Sequence, residues 1–346
     1  MDAAADKVAV IGAGVAGLTC AVELAERGVP VEVLERSGRL GEAACSWQAG
    51  GMLAPWCERA TSEPLVSQLG DEAIEWWSSR FPATVRRGTL VLAHARDHSE
   101  LTEFASRTEQ FEKIDRARLA ELEPDLAGRF QQALYFPTEA HLDPRDALGA
   151  LAQRLAKLGG TIRFDHNVDD ARLAELQATH RAVVNCTGMV ARSELTDLRG
   201  VKGEMILLRL QEISFSRPIR VLHSRLPLYI VPRADGLFMV GATMLESDEP
   251  SRVSVRSVLE LLTAAYALNP MFGEAEVVEI GTGVRPAFLD NLPRIRWRQG
   301  VLHVNGFFRH GFLLAPALAR RAAEAILQDR RFPEVMDEDH RERRRA

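Results

Sequence analysis

The chain has little from which to build covalent or metal-held structure. Only four of its 346 residues are cysteines, Cys20, Cys45, Cys57 and Cys186. None stands in a C-x-x-C pair, so all four read as free thiols, with no dithiol or cysteine-metal chemistry expected. The nine histidines are scattered. His94 and His98 have the i, i+4 spacing of a helical ligand pair, but no third ligand stands near, and an exposed polar turn accounts for them; no metal is assigned. No apolar run approaches the ~18–20 residues of a membrane-spanning helix. The start, "MDAAADKVAV", is acidic and leads straight into a strand, unlike a signal peptide. The chain is therefore expected in the cytoplasm, away from membranes. Positive charge is not in excess either: the net charge is -5, and the basic residues are dispersed, which argues against a nucleic-acid partner. The basic ending "DEDHRERRRA" reads as a solvated, frayed terminus. There is no internal repeat and no low-complexity tract.

Hydrophobic residues make up 46% of the chain, enough at this length for two domains with cores. The strongest local pattern comes first. "KVAVIGAGVAGLTCAVELAERG" reads as a short apolar strand, then Gly12, Gly14 and Gly17 in G-x-G-x-x-G, then a helix that Gly28 stops. A second strand, "PVEVLER", brings Glu35 to a point 21 residues beyond Gly14. In such a unit one glycine makes the turn, one admits a pyrophosphate against the backbone, and one lets helix pack on strand. The helix N-terminus offers its amides to phosphate, and Glu35 can accept hydrogen bonds from a ribose. No second G-x-G-x-x-G follows a strand; "GTGVRP" lacks the third glycine. A lone unit leaves open an NAD dehydrogenase or an FAD protein reduced directly by its substrate.

Further along, "THRAVVNCTG" and "GVLHVNGF" read as buried parallel strands, the second followed by the helix "GFLLAPALARRAAEAIL". Between them "GEMILLRL", "PLYIVPRA" and "GLFMVGATM" have strand composition, with "RADG" as a hairpin turn. The expected fold class is α/β: a Rossmann-like cofactor domain in separated segments, 1–80, 141–200 and 281–346, carrying an inserted and mainly antiparallel sheet domain from 81–140 and 201–280. Two arginines stand out in apolar, glycine- and proline-rich surroundings, Arg285 in "GVRPAFLDNLP" and Arg309 in "NGFFRHGFLLAP". A buried guanidinium requires an anion, from the chain or from a ligand.

The N-terminal unit ending in "LER", with "SWQAGGMLAP", "VVNCTG", "LYIVPRADGLFMVGATM", "GVRPAFLDNLP" and "NGFFRHGFLLAP", resembles the D-amino-acid-oxidase superfamily of FAD enzymes, in the family's order and over nearly the whole chain. Within it the chain is most similar to the glycine oxidases of thiamine biosynthesis. Covalent sarcosine oxidases attach flavin through a cysteine in their C-terminal part, and this chain has none after Cys186. The resemblance implies non-covalent FAD, held by Gly12, Gly14, Val15, Ala16 and Gly17; by Glu35 and Arg36; by Ser46, Gly50, Gly51 and Met52; by Val168, Thr187 and Gly188; and by Gly306, Arg309, His310, Gly311, Phe312 and Leu313. It implies Arg285 as the anchor for a substrate carboxylate, Tyr229 as a phenolic hydrogen-bond donor, and Arg309 as a second positive group, with Met52 and Met244 as walls that narrow the site. The helix beginning at Gly311 would aim its amides at the pyrimidine edge of the flavin. His310 is given no catalytic role, because the family's chemistry is hydride transfer from Cα to flavin N5. Phe307 and Phe308 stand where family members have histidine and tyrosine, which makes the pocket more apolar.

The implied reaction is oxidation of glycine or another small amino acid or amine, with dioxygen as acceptor, yielding an imine and hydrogen peroxide for thiazole synthesis. Two alternatives stand beside it. One is a dehydrogenase for D-amino acids or secondary amines with a different acceptor. The other is a flavoprotein acting on a partner protein, with Phe307, Phe308, Trp76 and Trp77 as an apolar docking patch. A homo-oligomer is compatible with all three.

Overall fold

The computed structural model describes residues 6–94, 97–222, 228–250 and 252–337. The first five residues and the tail 338–346 lie outside the described residues. So do Ala95, Arg96 and the side chain of His98, and with them most of the polar turn expected there. His94 itself is half-buried, its ring 5.5 Å from that of Phe130.

Two sheets organise the chain. The first has six strands in the order Arg294–Arg298, Val301–Asn305, Ala182–Asn185, Val8–Ile11, Val31–Leu34 and Thr161–Arg163. All neighbours are parallel except the first pair. Its central strand, Val8–Ile11, is apolar throughout because both faces are covered. Val8 and Val10 point to the core built with the helices Val15–Glu26, Pro144–Lys157 and Gly311–Gln328, whereas Ala9 and Ile11 point to the helix Asp170–Thr179 through Leu176.

Pro316 interrupts the hydrogen-bond ladder of the helix Gly311–Gln328. Its missing N–H would have bonded the carbonyl of Phe312. The indole N–H of Trp77 donates to that carbonyl instead, at 2.8 Å, and the ring is fully buried against Phe312. Trp77 is thus spent on the core, and Phe307 is also buried. Trp76 and Phe308 are half-buried, so of the four aromatics named for an apolar docking patch two, Trp77 and Phe307, belong to the core instead.

The second sheet has nine strands and is antiparallel except where Ile219–Leu222 runs beside Thr89–Ala93. The hairpin at "RADG" is present, joining Leu228–Pro232 to Leu237–Gly241 with Asp235 at φ 58° and Gly236 at φ 66°. Strands from 81–140, Thr89–Ala93, Glu112–Asp115 and Gln132–Phe136, complete the sheet. Alternation again sorts the residues. Ile206, Leu208 and Val240 pack under the helix Val255–Leu268, while Met205, Leu207, Val231 and Met239 face the other way, with Tyr229 and Met52. The strand Glu276–Ala287 pairs with Arg199–Arg209 along its whole length, so Arg285, opposite Val201, belongs to this second sheet. The expected α/β class, a Rossmann-like layer with a mainly antiparallel sheet, is the fold observed.

Candidate active site

Between the two sheets lies a cavity of about 1080 Å³. At one end it is walled by the turn after the first strand. Gly12 adopts φ +99°, and a Cβ there would lie 2.9 Å from the carbonyl oxygen of Cys186. A Cβ on Gly17 would lie 1.9 Å from the carbonyl oxygen of Gly12, so helix and strand approach only because this residue has no side chain. Gly14 differs: the nearest protein atom to a Cβ there is Ser46 Oγ at 3.6 Å, and the residue lines the cavity. The protein leaves that space free.

Glu35 lines the same end of the cavity. Its Oε2 accepts from the Ala13 amide at 2.8 Å and its Oε1 from the Ser37 amide and hydroxyl at 3.0 and 2.8 Å, which fixes the carboxylate at the tip of its strand. Val15, Ala16, Arg36, Ser46, Gly50, Gly51, Met52, Val168, Thr187 and Gly188 line the same cavity. Ser46 Oγ accepts from the amide of Val15 at 3.3 Å, at the start of the helix. At the opposite side the helix Gly311–Gln328 begins at the cavity wall with no side chain capping it. Its first amides have no partner within the helix and point their positive end into the space. His310, Gly311, Phe312 and Leu313 all line the cavity there. Gly306 is buried beside them with φ +81°, its Cα face against Phe288.

The residues expected at the substrate end converge. Tyr229, Arg285, Arg309 and Met52 line the cavity. Arg285 donates from Nη1 to the carbonyl oxygen of Thr243 at 3.1 Å, and among the described residues it has no carboxylate within ion-pairing distance. Asp290, in the same segment, is taken by Arg294. Arg309 is differently placed. Its Nη2 pairs with Glu58 Oε2 at 2.5 Å and donates to Thr61 Oγ1 at 2.6 Å. Met244 is not part of the cavity lining; it is half exposed, with Sδ 3.9 Å from Arg309 Nη1.

Three site residues escaped the sequence reading. Glu58, on the short helix Pro55–Arg59, receives Arg309, His310 Nε2 at 3.0 Å and Arg220 Nη1 at 3.3 Å. Burial opposes its ionisation, but these three groups hold its carboxyl well below the usual range. Burial also lowers the pKa of His310, against the pull of Glu58. Glu139, fully buried, accepts the amides of Trp56 and Cys57 at 3.0 and 2.7 Å and so fixes the start of the helix that carries Glu58; burial pushes its own carboxyl up to about 8. Asn305 donates to the Gly188 carbonyl and accepts from the Gly306 amide, both at 2.8 Å, tying two cavity loops together. No periodicity marks such residues. Only an unexplained polar residue beside apolar ones hints at them.

A cavity lined by a glycine turn, a buried acid at a strand tip and the uncapped N-terminus of the helix Gly311–Gln328 fits an adenine dinucleotide carrying a redox ring. The family of FAD dependent oxidoreductases called DAO matches residues 7–325, and the chain belongs to it. It is a glycine oxidase-like, FAD-dependent oxidoreductase. The chain is 50% identical, over 95% of its length and 98% of the relative's, to a protein of Rhizobium etli named as a thiamine biosynthesis oxidoreductase, ThiO. It is 29% identical to the glycine oxidase of Geobacillus kaustophilus, over 92% of each chain. A solved structure of glycine oxidase from that organism superposes with a TM-score of 0.77 at 25% identity, covering 94% of this chain and 96% of the other. Among the described residues no helix is long and apolar enough to cross a membrane.

Proposed function

We propose that this chain oxidises the Cα–N bond of glycine or another small amino acid to an imine, with dioxygen as the final acceptor, in a pathway to thiamine. The observation that carries the reading is Arg285: a guanidinium inside an apolar-walled cavity, with no carboxylate partner among the described residues. Such a charge is stabilised by a ligand anion, and a planar fork suits a carboxylate held at two points. Bound FAD supplies a two-electron acceptor for the substrate and hands the electrons to dioxygen as hydrogen peroxide. The chain's own residues do the rest.

Gly12, Gly14 and Glu35 would hold the adenosine and pyrophosphate, with Gly17 serving the helix–strand packing behind them, and the amides of Gly311, Phe312 and Leu313 would meet negative charge gathered on the ring system. Arg285 orients the substrate through its carboxylate, with the Tyr229 hydroxyl as an additional donor. Met52 lines that side, packed with Tyr229 against the buried cluster of Met205, Leu207, Val231 and Met239, and an apolar wall there favours a neutral amine and excludes water. The His310 imidazole stands in the cavity wall with its Nε2 engaged by Glu58, and hydride transfer from Cα requires no base from it. In this reading the cofactor domain comprises 1–80, 141–200 and 281–346, with the boundary near 281 crossed by the strand that bears Arg285.

Adding glycine, sarcosine and D-alanine in turn to the anaerobic holoprotein, then admitting air, tests the reading. Bleaching of the flavin band by one of them, with colour and peroxide returning in air, is expected. Arg285→Ala should raise KM strongly while FAD stays bound; unchanged kinetics would remove the carboxylate anchor.

A further inference from the structure

Arg285 and Arg309 are close neighbours in space. Arg285 donates to the carbonyl of Thr243, and Arg309 touches the sulfur of Met244, the next residue. The Phe308 amide also donates to the Pro286 carbonyl at 2.8 Å, which fastens the two arginine-bearing segments together. Two free guanidiniums lining one cavity would suit a substrate with two anionic groups. Only one is free. Glu58 occupies the second, through the 2.5 Å pair with Arg309.

The Glu58 carboxylate is itself held from behind. Arg220 reaches its Oε1 at 3.3 Å, is buried, and is braced by the carbonyl of Cys57 and the ring of Phe104. Glu139 fixes the first turn of the helix that carries it. The carboxylate therefore cannot swing away to release Arg309 without leaving a second buried guanidinium unpaired.

Resting on the amino-acid reading of the site, we propose that Glu58 determines specificity: it supplies from within the chain the second carboxylate that Arg309 would otherwise take from a ligand. The cavity thus accepts amines with one carboxylate and rejects those with two. A second anionic group on a ligand meets a neutralised arginine and, beside it, a like charge. The same pairing revises the role of Arg309 from carboxylate ligand to part of the wall.

The test uses the FAD-loaded protein and two anions that cannot be oxidised, acetate and malonate, titrated while the flavin absorption is followed. The wild type should prefer acetate by about tenfold or more, the scale of one charge-assisted contact. Glu58→Gln should move the ratio toward malonate by a similar factor, and Glu58→Asp should retain the wild-type ratio. An unchanged ratio in Glu58→Gln, or equal weakening of both anions, overturns the proposal. If that variant does not keep FAD, the double variant Glu58→Gln/Arg309→Gln removes both partners of the pair. Its acetate preference should stay within about threefold of wild type; a gain for malonate, or about a tenfold loss for acetate, overturns the proposal. Bleaching of the wild type by glycine tests the underlying reading separately. No bleaching with a Glu58-dependent ratio leaves anion selection standing and removes only the amino-acid reading.

Discussion

Gly203 offers a way to disturb the substrate anchor without touching it. The residue lies on the strand Arg199–Arg209, directly beside the strand that bears Arg285, and it lines the cavity. An added Cβ would fall 2.1 to 2.3 Å from the Nη2, Cζ and Nη1 atoms of Arg285, and those are the three nearest heavy atoms. What must yield is the far end of a flexible side chain rather than backbone, so the strand can stay and the guanidinium must turn. Alanine in a strand also loses less chain entropy than glycine, worth roughly 0.5–1 kcal/mol in the folded state's favour. Gly203→Ala is therefore expected to fold and to bind FAD while misaligning the carboxylate grip. A hydrogen bond to a charged group is worth about 1.5–3 kcal/mol, and about 1.4 kcal/mol is a factor of ten. KM for the amino acid should rise roughly tenfold to a hundredfold, with the flavin spectrum and thermal midpoint preserved. Steady-state kinetics with a peroxide assay, alongside thermal unfolding of the holoprotein, reads both. An unchanged KM in a variant with normal stability would refute the assignment of Arg285 as the anchor.

Two further expectations concern the scaffold. Gly17→Ala places a Cβ 1.9 Å from a backbone carbonyl, so helix and strand must part. Overpacking of this kind costs about 1–3 kcal/mol, and the purified variant should carry little FAD; normal flavin content would show that the close approach is dispensable. Glu139, with its carboxyl pushed up to about 8 by burial, stays protonated when folded over a range where the unfolded chain has released its proton. Its contribution to stability is fully present below about 4.5, the unfolded value, and is lost as pH rises toward 8. Urea unfolding between pH 5 and 8 should show a decline of up to about 1.4 kcal/mol per pH unit from this group. Glu139→Gln, whose amide can still accept the Trp56 and Cys57 N–H groups, should lack that part of the slope; an identical slope would refute the assignment.

What the amino-acid order determined by itself is local. Strand, glycine triplet, helix, strand and acid at fixed spacing follow from backbone sterics and period, so Gly12, Gly14, Gly17 and Glu35 were legible, as were the paired strands around "RADG" and the final helix. Arg285 and Arg309 were legible as anomalies, charges in apolar segments, but not as different from each other. That difference is tertiary. Glu58 is 251 residues from Arg309 in the chain, and only the packing of the helix Pro55–Arg59 against the loop before the last helix brings them together. Met244, counted in advance as a wall of the pocket, faces largely outward because its segment has already left the strand that ends at Gly241. Burial decides the chemistry of Glu139 in the same way: a carboxyl in "TEAH" looks solvated in the sequence, and becomes a proton-holding brace only when the second sheet closes over it. Short-range sterics are written in neighbouring residues, whereas ion pairing and desolvation depend on which distant residues the fold places within a few ångströms.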